Sequence, residues 1–274
     1  MSVTIRLAEH AQVGADDRGL NYGDGVFETL RIHAGQTVWW DAHWQRLLHG
    51  AAVLGIAAPE PDAVRAACAP LLVQPGDGVL KLLLTRGAGG RGYAPPESAQ
   101  PMLVISRHAL PPPWPIAGGR LRWARLRLGI QPALAGIKHC NRLEQILARR
   151  EWSDPEIHEA VLCDALGAPT CACAGNLFVL RDGAWLTPLI DRAGVAGICR
   201  QWLLTQGIAR EQRLSRADVE QADAIFLCNA VRGILPVRAL GERQFAPRPE
   251  LQTLMQRLAQ AEPAFTRSGD GENG

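Results

Sequence analysis

At 274 residues, 47% of them apolar, the chain has material for one large core or two of ordinary size. A formal charge of +2 spread along the length leaves no basic stripe, which excludes nucleic-acid binding as the expected role. The first residues lack the basic-then-apolar pattern of a signal peptide and no apolar run approaches about 20 residues, so a soluble cytoplasmic protein without a membrane span is expected.

In chain order, residues 26–32 and 37–40 read as two strands joined by a turn at Ala34-Gly35. Residues 41–56 follow as an amphipathic helix, with Trp44, Leu47, Leu48 and Ala51 on one face. Residues 61–72, entered by proline and acids, read as a second helix, and strands are expected at 79–85 and 102–107. The run Leu110-Pro111-Pro112-Pro113-Trp114-Pro115 continues neither structure and is expected to be stiff and extended. The expected organisation is an N-terminal α/β domain over 1–110, a proline-rich linker over 111–120, a second domain over 121–266 and a mobile tail over 267–274.

The second half reads as a strand at 121–128, a loop, a helix at 142–151, and strands near 158–164 and 174–180. Asn141, with Glu144 three residues on, looks like a capping box for that helix. A hairpin at 181–183 leads into 184–187, the glycines at 194 and 197 open a helix running to about 206, and a strand at 224–228 precedes a turn at 229–233. The seven cysteines are odd in number and scattered, without spaced pairs, so buried free thiols are expected and no metal site.

Only two of the 29 basic residues are lysines, Lys81 and Lys138; the others are arginine. Arginine keeps its proton at any working pH, whereas a lysine amine can lose it and act as a nucleophile. Lys81 lies inside the apolar run Val79–Thr85 and reads as a strand lysine that extends its charge into water. Lys138 lies where a loop gives way to a helix, where the positive end of the helix favours the neutral amine. Lys138 is therefore the candidate nucleophile.

Three other strings carry possible chemistry. Gly87-Ala88-Gly89-Gly90-Arg91-Gly92 formally contains the dinucleotide fingerprint, but Pro95 and Pro96 stand where the helix should begin. The string reads better as a glycine loop presenting Arg86 and Arg91 to an anion. Gly194 to Gly197 before a helix is a possible phosphate cradle. Tyr22-Gly23-Asp24-Gly25-Val26-Phe27-Glu28 is dense in glycine, and Glu28, if buried in its strand, needs a partner such as an arginine.

Taken together these strings resemble the fold-type IV pyridoxal-phosphate enzymes, and within them the aminodeoxychorismate lyase branch, from about Arg18 to Val237. The resemblance implies a two-domain α+β fold of the D-amino-acid aminotransferase-like type, a homodimer, pyridoxal 5'-phosphate as cofactor and a small-molecule substrate. It implies that Lys138 holds the cofactor and acts as base, and that Arg46, Gly197, Ile198, Cys199, Asn229 and Ala230 surround the cofactor phosphate. Arg91, with Arg31 second, is the expected contact for a substrate carboxylate, and Thr29 is expected near the reacting carbon.

One position departs from the family pattern. Cys171 stands where the family usually has a glutamate that pairs with the pyridine nitrogen, five residues before Asn176. An anion there strengthens the ring as an electron sink. Aminotransfer leans on that sink, whereas lyase chemistry on 4-amino-4-deoxychorismate is driven by aromatisation of the substrate. The reaction that the resemblance to the lyase branch implies is formation of 4-aminobenzoate and pyruvate, which would tolerate the weaker sink better than aminotransfer. The alternatives are a branched-chain or D-amino-acid aminotransferase of the same fold, or a non-catalytic pyridoxal-phosphate-binding protein.

Overall fold

The computed structural model describes residues 3–266, and these divide into two compact units. The first comprises residues up to Pro111 together with Ile137–Arg142; the second comprises Pro112–Gly136 and the chain from Leu143 onward. The expected mobile tail, 267–274, lies outside the described residues.

The first unit is built on a five-stranded sheet. Its strands are β1 (Thr4–Leu7), β2 (Gly25–His33), β3 (Gln36–Thr37), β4 (Gly78–Thr85) and β5 (Met102–His108), in the spatial order β1-β5-β4-β2-β3. All neighbours are antiparallel except β1 and β5. Alternation in β2 buries Val26, Glu28, Leu30 and Ile32 on one face and turns Phe27, Thr29 and Arg31 to the other. The buried face packs under helices α2 (Trp40–Leu54) and α3 (Pro61–Leu72), where Trp40, Trp44, Leu47, Val64 and Leu71 complete the core. Each such side chain contributes about 1.5–3 kcal/mol on burial. A short helix, α1 (Arg18–Tyr22), precedes β2 and was not legible from periodicity.

The turn between β2 and β3 forms at Ala34 and Gly35, both with positive φ, as a tight hairpin demands. The second strand is shorter than expected. Trp39 adopts φ 56°, and Trp40 enters α2 and stacks on Trp44 at 6.1 Å. The outer edge of β2 is shared. β3 pairs with Ile32 and His33, and at the other end residues 137–140 run alongside: the Phe27 N–H donates to the Lys138 carbonyl and the Cys140 N–H to that of Gly25, each at 2.9 Å. The expectation assigned 137–142 to the second half of the chain; these six residues pack with the first unit.

The second unit carries a nine-stranded mixed sheet. Its strands are β6 (Gly119–Leu128), β7 (Glu159–Asp164), β8 (Pro169–Ala172), β9 (Asn176–Arg181), β10 (Ala184–Pro188), β11 (Ala209–Gln212), β12 (Ala224–Asn229), β13 (Gly233–Leu240) and β14 (Arg243–Gln244). The order is β11-β10-β9-β12-β13-β6-β7-β8, with β14 on β13. Helices α4 (Leu143–Arg149), α5 (Ile198–Thr205), α6 (Arg216–Glu220) and α7 (Pro249–Ala261) complete it.

The stretch expected as a linker is partly built into this unit. β6 begins at Gly119, and the Trp114 indole donates to the Pro236 carbonyl at 2.7 Å. The capping box expected before α4 is replaced by other contacts: the Asn141 amide donates to the Gly23 carbonyl, and Glu144 accepts from the Gly129 N–H. Among the described residues, no helix is long and apolar enough to cross a membrane.

Candidate active site

In the first unit, strand pairing sets Lys138 directly across from Phe27. The Lys138 Nζ lies 4.4 Å from the centre of the Phe27 ring, and the Lys81 Nζ lies 5.6 Å from the same centre. Lys81 is the cross-strand partner of Thr29, so both lysines and Thr29 share a neighbourhood on the face of β2 away from the helices. Lys81 is a strand lysine, as the sequence reading had it, half-buried on β4, and it also faces the aromatic ring that Lys138 meets.

Burial pushes the Lys138 amine down to about 8, and the positive charges of Arg46, Arg142 and Lys81 push the same way against the opposing Glu28. At that value roughly one amine in ten is neutral at pH 7. The largest cause is burial, which the sequence reading, resting on a helix terminus, did not name. Neighbouring His139 is held near 4, by burial first and Arg142 second, and is neutral at physiological pH.

Glu28 finds two partners on α2. Arg46 closes on it with both arms of its fork, Nε to Oε1 at 2.8 Å and Nη2 to Oε2 at 2.5 Å, and the His43 Nδ1 lies 2.6 Å from Oε2. The carboxyl is 1% exposed. Burial alone would raise its pKa, but Arg46 and then His43 hold it at about 2. Burial lowers His43, so its Nδ1–H is the donor to Glu28. The effect is to fix Arg46 in one orientation. The sequence reading found Glu28 and Arg46 but not His43, although His43 lies one helical turn from Arg46.

The arginines expected to meet substrate divide three ways. Arg31, on the Phe27 face of β2, donates to Asp77 at 2.9 Å, and Asp77 also pairs with His33. Arg86 is buried, donating to both oxygens of Asp24 and to the Leu54 and Gly55 carbonyls. It is therefore not presented to a ligand, as the sequence reading had it. Arg91 is exposed in the glycine loop.

The second unit holds the remaining candidates. α5 starts at Ile198 with Gly197 as its N-cap and no side chain capping it, so the helix dipole and its first N–H groups are available to an anion. A Cβ at Gly197 would stand 2.0 Å from the Asn176 Oδ1, whose side chain holds the loop through the Val195 carbonyl. Ile198 and Cys199 are buried behind that terminus. Asn229 shapes its own turn, accepting from the Val231 and Arg232 N–H groups and donating to the Ala174 carbonyl; Ala230 is buried at the bend. Cys171 lies on β8 in an apolar cluster with Ala124, Leu128, Ala148, Ala160 and Leu162. The first unit offers a buried amine of lowered basicity, and the second, described by itself, offers a helix start without a side-chain cap.

Comparison with known proteins places the chain in a family. Residues 25–240 match the amino-transferase class IV family. The aminodeoxychorismate lyase of Vibrio harveyi is 33% identical over 239 residues, 84% of this chain and 88% of its own length. The crystal structure of 4-amino-4-deoxychorismate lyase from Pseudomonas aeruginosa superposes with a TM-score of 0.85 at 41% identity, covering 91% of this chain and 95% of that one. The D-alanine aminotransferase of Listeria monocytogenes serotype 4b is 28% identical over 257 residues, 87% of this chain and 86% of its own. With the match spanning residues 25–240, the chain belongs to the class IV aminotransferase family of fold-type IV enzymes that use pyridoxal 5'-phosphate.

Proposed function

We propose that the protein is a homodimeric lyase that converts 4-amino-4-deoxychorismate to 4-aminobenzoate and pyruvate. The observation that carries the reading is the 41% identity to the Pseudomonas aeruginosa lyase across nine-tenths of both chains, against 28% to a D-alanine aminotransferase. Pyridoxal phosphate, held by Lys138, supplies an electron sink at the carbon bearing the substrate amine.

The other steps fall to the chain's own residues. The Lys138 amine, with its basicity lowered to about 8, takes the ring proton and returns it to the departing enolpyruvate oxygen. Arg46, aimed by Glu28, and the N–H groups at the start of α5 and at Ala230 hold the phosphate. Thr29, the cross-strand neighbour of Lys81, would act at the reacting carbon. Arg91 takes a substrate carboxylate, and Arg31, already bound to Asp77, is the weaker candidate. A cysteine at 171, where the family usually has a glutamate, suits a reaction driven by aromatisation better than one that stores charge on the ring.

The test is to incubate the purified protein with 4-amino-4-deoxychorismate, with and without pyridoxal phosphate, and follow 4-aminobenzoate fluorescence. Cofactor-dependent product is expected; folded, cofactor-loaded protein that forms none refutes the lyase. The similarity to D-alanine aminotransferase favours a second reading, in which D-alanine and 2-oxoglutarate would be converted to pyruvate and glutamate.

A further inference from the structure

The glycine loop after β4 is organised around a single buried side chain that the reaction does not use. Arg18 is 3% exposed. Its Nε donates to Asp24 Oδ2 at 2.9 Å, and its two Nη atoms donate to the carbonyls of Gly92, Tyr93 and Ala94 at 3.0–3.3 Å. Its backbone N–H is bound as well, to the Gly87 carbonyl at 2.8 Å. A neutral side chain could not draw three successive carbonyls to one point; the rigid fork of a guanidinium can.

The ring of Tyr22 lies under the guanidinium at 4.8 Å, and the Tyr22 hydroxyl accepts the Gly92 N–H. Asp24, shared with Arg86, anchors the assembly from below. The grip falls on the three residues that follow Arg91, whose own side chain is exposed.

We propose that Arg18 is a positioning residue for substrate recognition. By clasping residues 92–94 it aims Arg91 at the substrate carboxylate, and so governs KM while leaving the chemical step alone. This rests on the function proposed above. Ordering the loop in advance removes an entropic cost that binding would otherwise bear. Gly89 belongs to the same device, because a Cβ there would stand 2.6 Å from the Arg18 Cδ.

The test compares the cofactor-loaded wild type with Arg18→Lys, Gly89→Ala, Arg91→Ala and the double variant Arg18→Lys/Arg91→Ala. Arg18→Lys and Gly89→Ala should each raise KM for 4-amino-4-deoxychorismate about 10- to 100-fold, the loss of one charge-assisted contact, with kcat within about threefold. The double variant should be no worse than Arg91→Ala, since Arg18 acts through Arg91. Trypsin should cut after Arg91 faster in Arg18→Lys than in the wild type.

An unchanged KM in the single variants overturns the proposal, and so do additive effects in the double variant, which mark general loosening of the fold. A wild type that turns over no 4-amino-4-deoxychorismate defeats the function reading instead. The tryptic rates then decide the clasp alone, and equal cleavage of wild type and Arg18→Lys refutes it.

Discussion

Replacing Glu28 by glutamine tests the buried carboxylate that aims Arg46. In the native protein the carboxyl is held at about 2 instead of 4.5, chiefly by Arg46 and His43 working against burial. A carboxyl whose folded pKa is depressed stabilises the protein above its unfolded value, and that contribution is lost as pH falls through the folded one. The difference between 4.5 and about 2 corresponds to about 3 kcal/mol at pH 7, falling to about 2 kcal/mol near pH 3.5. Glu28→Gln keeps the shape and a hydrogen-bonding oxygen but strands the Arg46 charge. The variant should therefore be about 3 kcal/mol less stable at pH 7, within the range for breaking one side of a buried pair. Urea unfolding of both proteins between pH 7 and pH 3 measures the gap, and every other carboxylate cancels between them. A gap that does not narrow in acid refutes the assignment of the stabilisation to an ionised Glu28.

Lys138→Ala should abolish the absorbance change on adding pyridoxal phosphate and reduce turnover about 10²- to 10⁴-fold, as measured by fluorescence of the product. Lys81→Met removes a cation that lowers the Lys138 amine, so the midpoint of the cofactor-loading rate against pH should move up from about 8. Gly197→Ala places a Cβ 2.0 Å from Asn176 at the start of α5, and pyridoxal phosphate affinity, read by fluorescence titration, should weaken about tenfold or more.

The periodic parts of the fold were legible in the sequence. α3 has the bounds expected, and α2, β4, β5 and β6 lie within a few residues of theirs, because α2 carries a one-sided apolar pattern and β4 a short continuous apolar run. β8 gave no such signal, since Pro169, Thr170, Cys171 and Ala172 are all buried and nothing alternates. β13 contains Pro236, which argues against a strand in any local reading. Residues 137–140 look like a loop because their pairing partner, β2, lies more than a hundred residues away. Arg86 was misread for the same reason: its partner Asp24 is 62 positions distant. Residue types pointed to the chemistry, but the choice between an arginine that binds ligand and one that binds Asp24 is made by tertiary pairing.

The string Tyr22 to Glu28 shows why its density of unusual residues follows from that pairing. Gly23 ends α1 at φ 65°, where a side chain would also meet Asn141 at 2.7 Å. Gly25 begins β2 against the Leu84 carbonyl, where a Cβ would stand at 2.5 Å. Between them Asp24 collects Arg18 and Arg86, and four residues on Glu28 collects Arg46 and His43. Each carboxylate is depressed below its ordinary value despite burial. In each case it holds arginines whose charge would be costly to leave unpaired. Asp24 fixes the arginines that shape the glycine loop, and Glu28 fixes the arginine nearest the Lys138 amine in electrostatic effect. Phe27, between them in sequence but on the opposite face of the strand from Glu28, carries the two lysines. One strand and its preceding turn thereby set the glycine loop, the orientation of Arg46 and the surroundings of the Lys138 amine. Substitutions in these seven residues should accordingly alter substrate affinity, cofactor affinity and amine basicity separately, according to which of the three a residue holds.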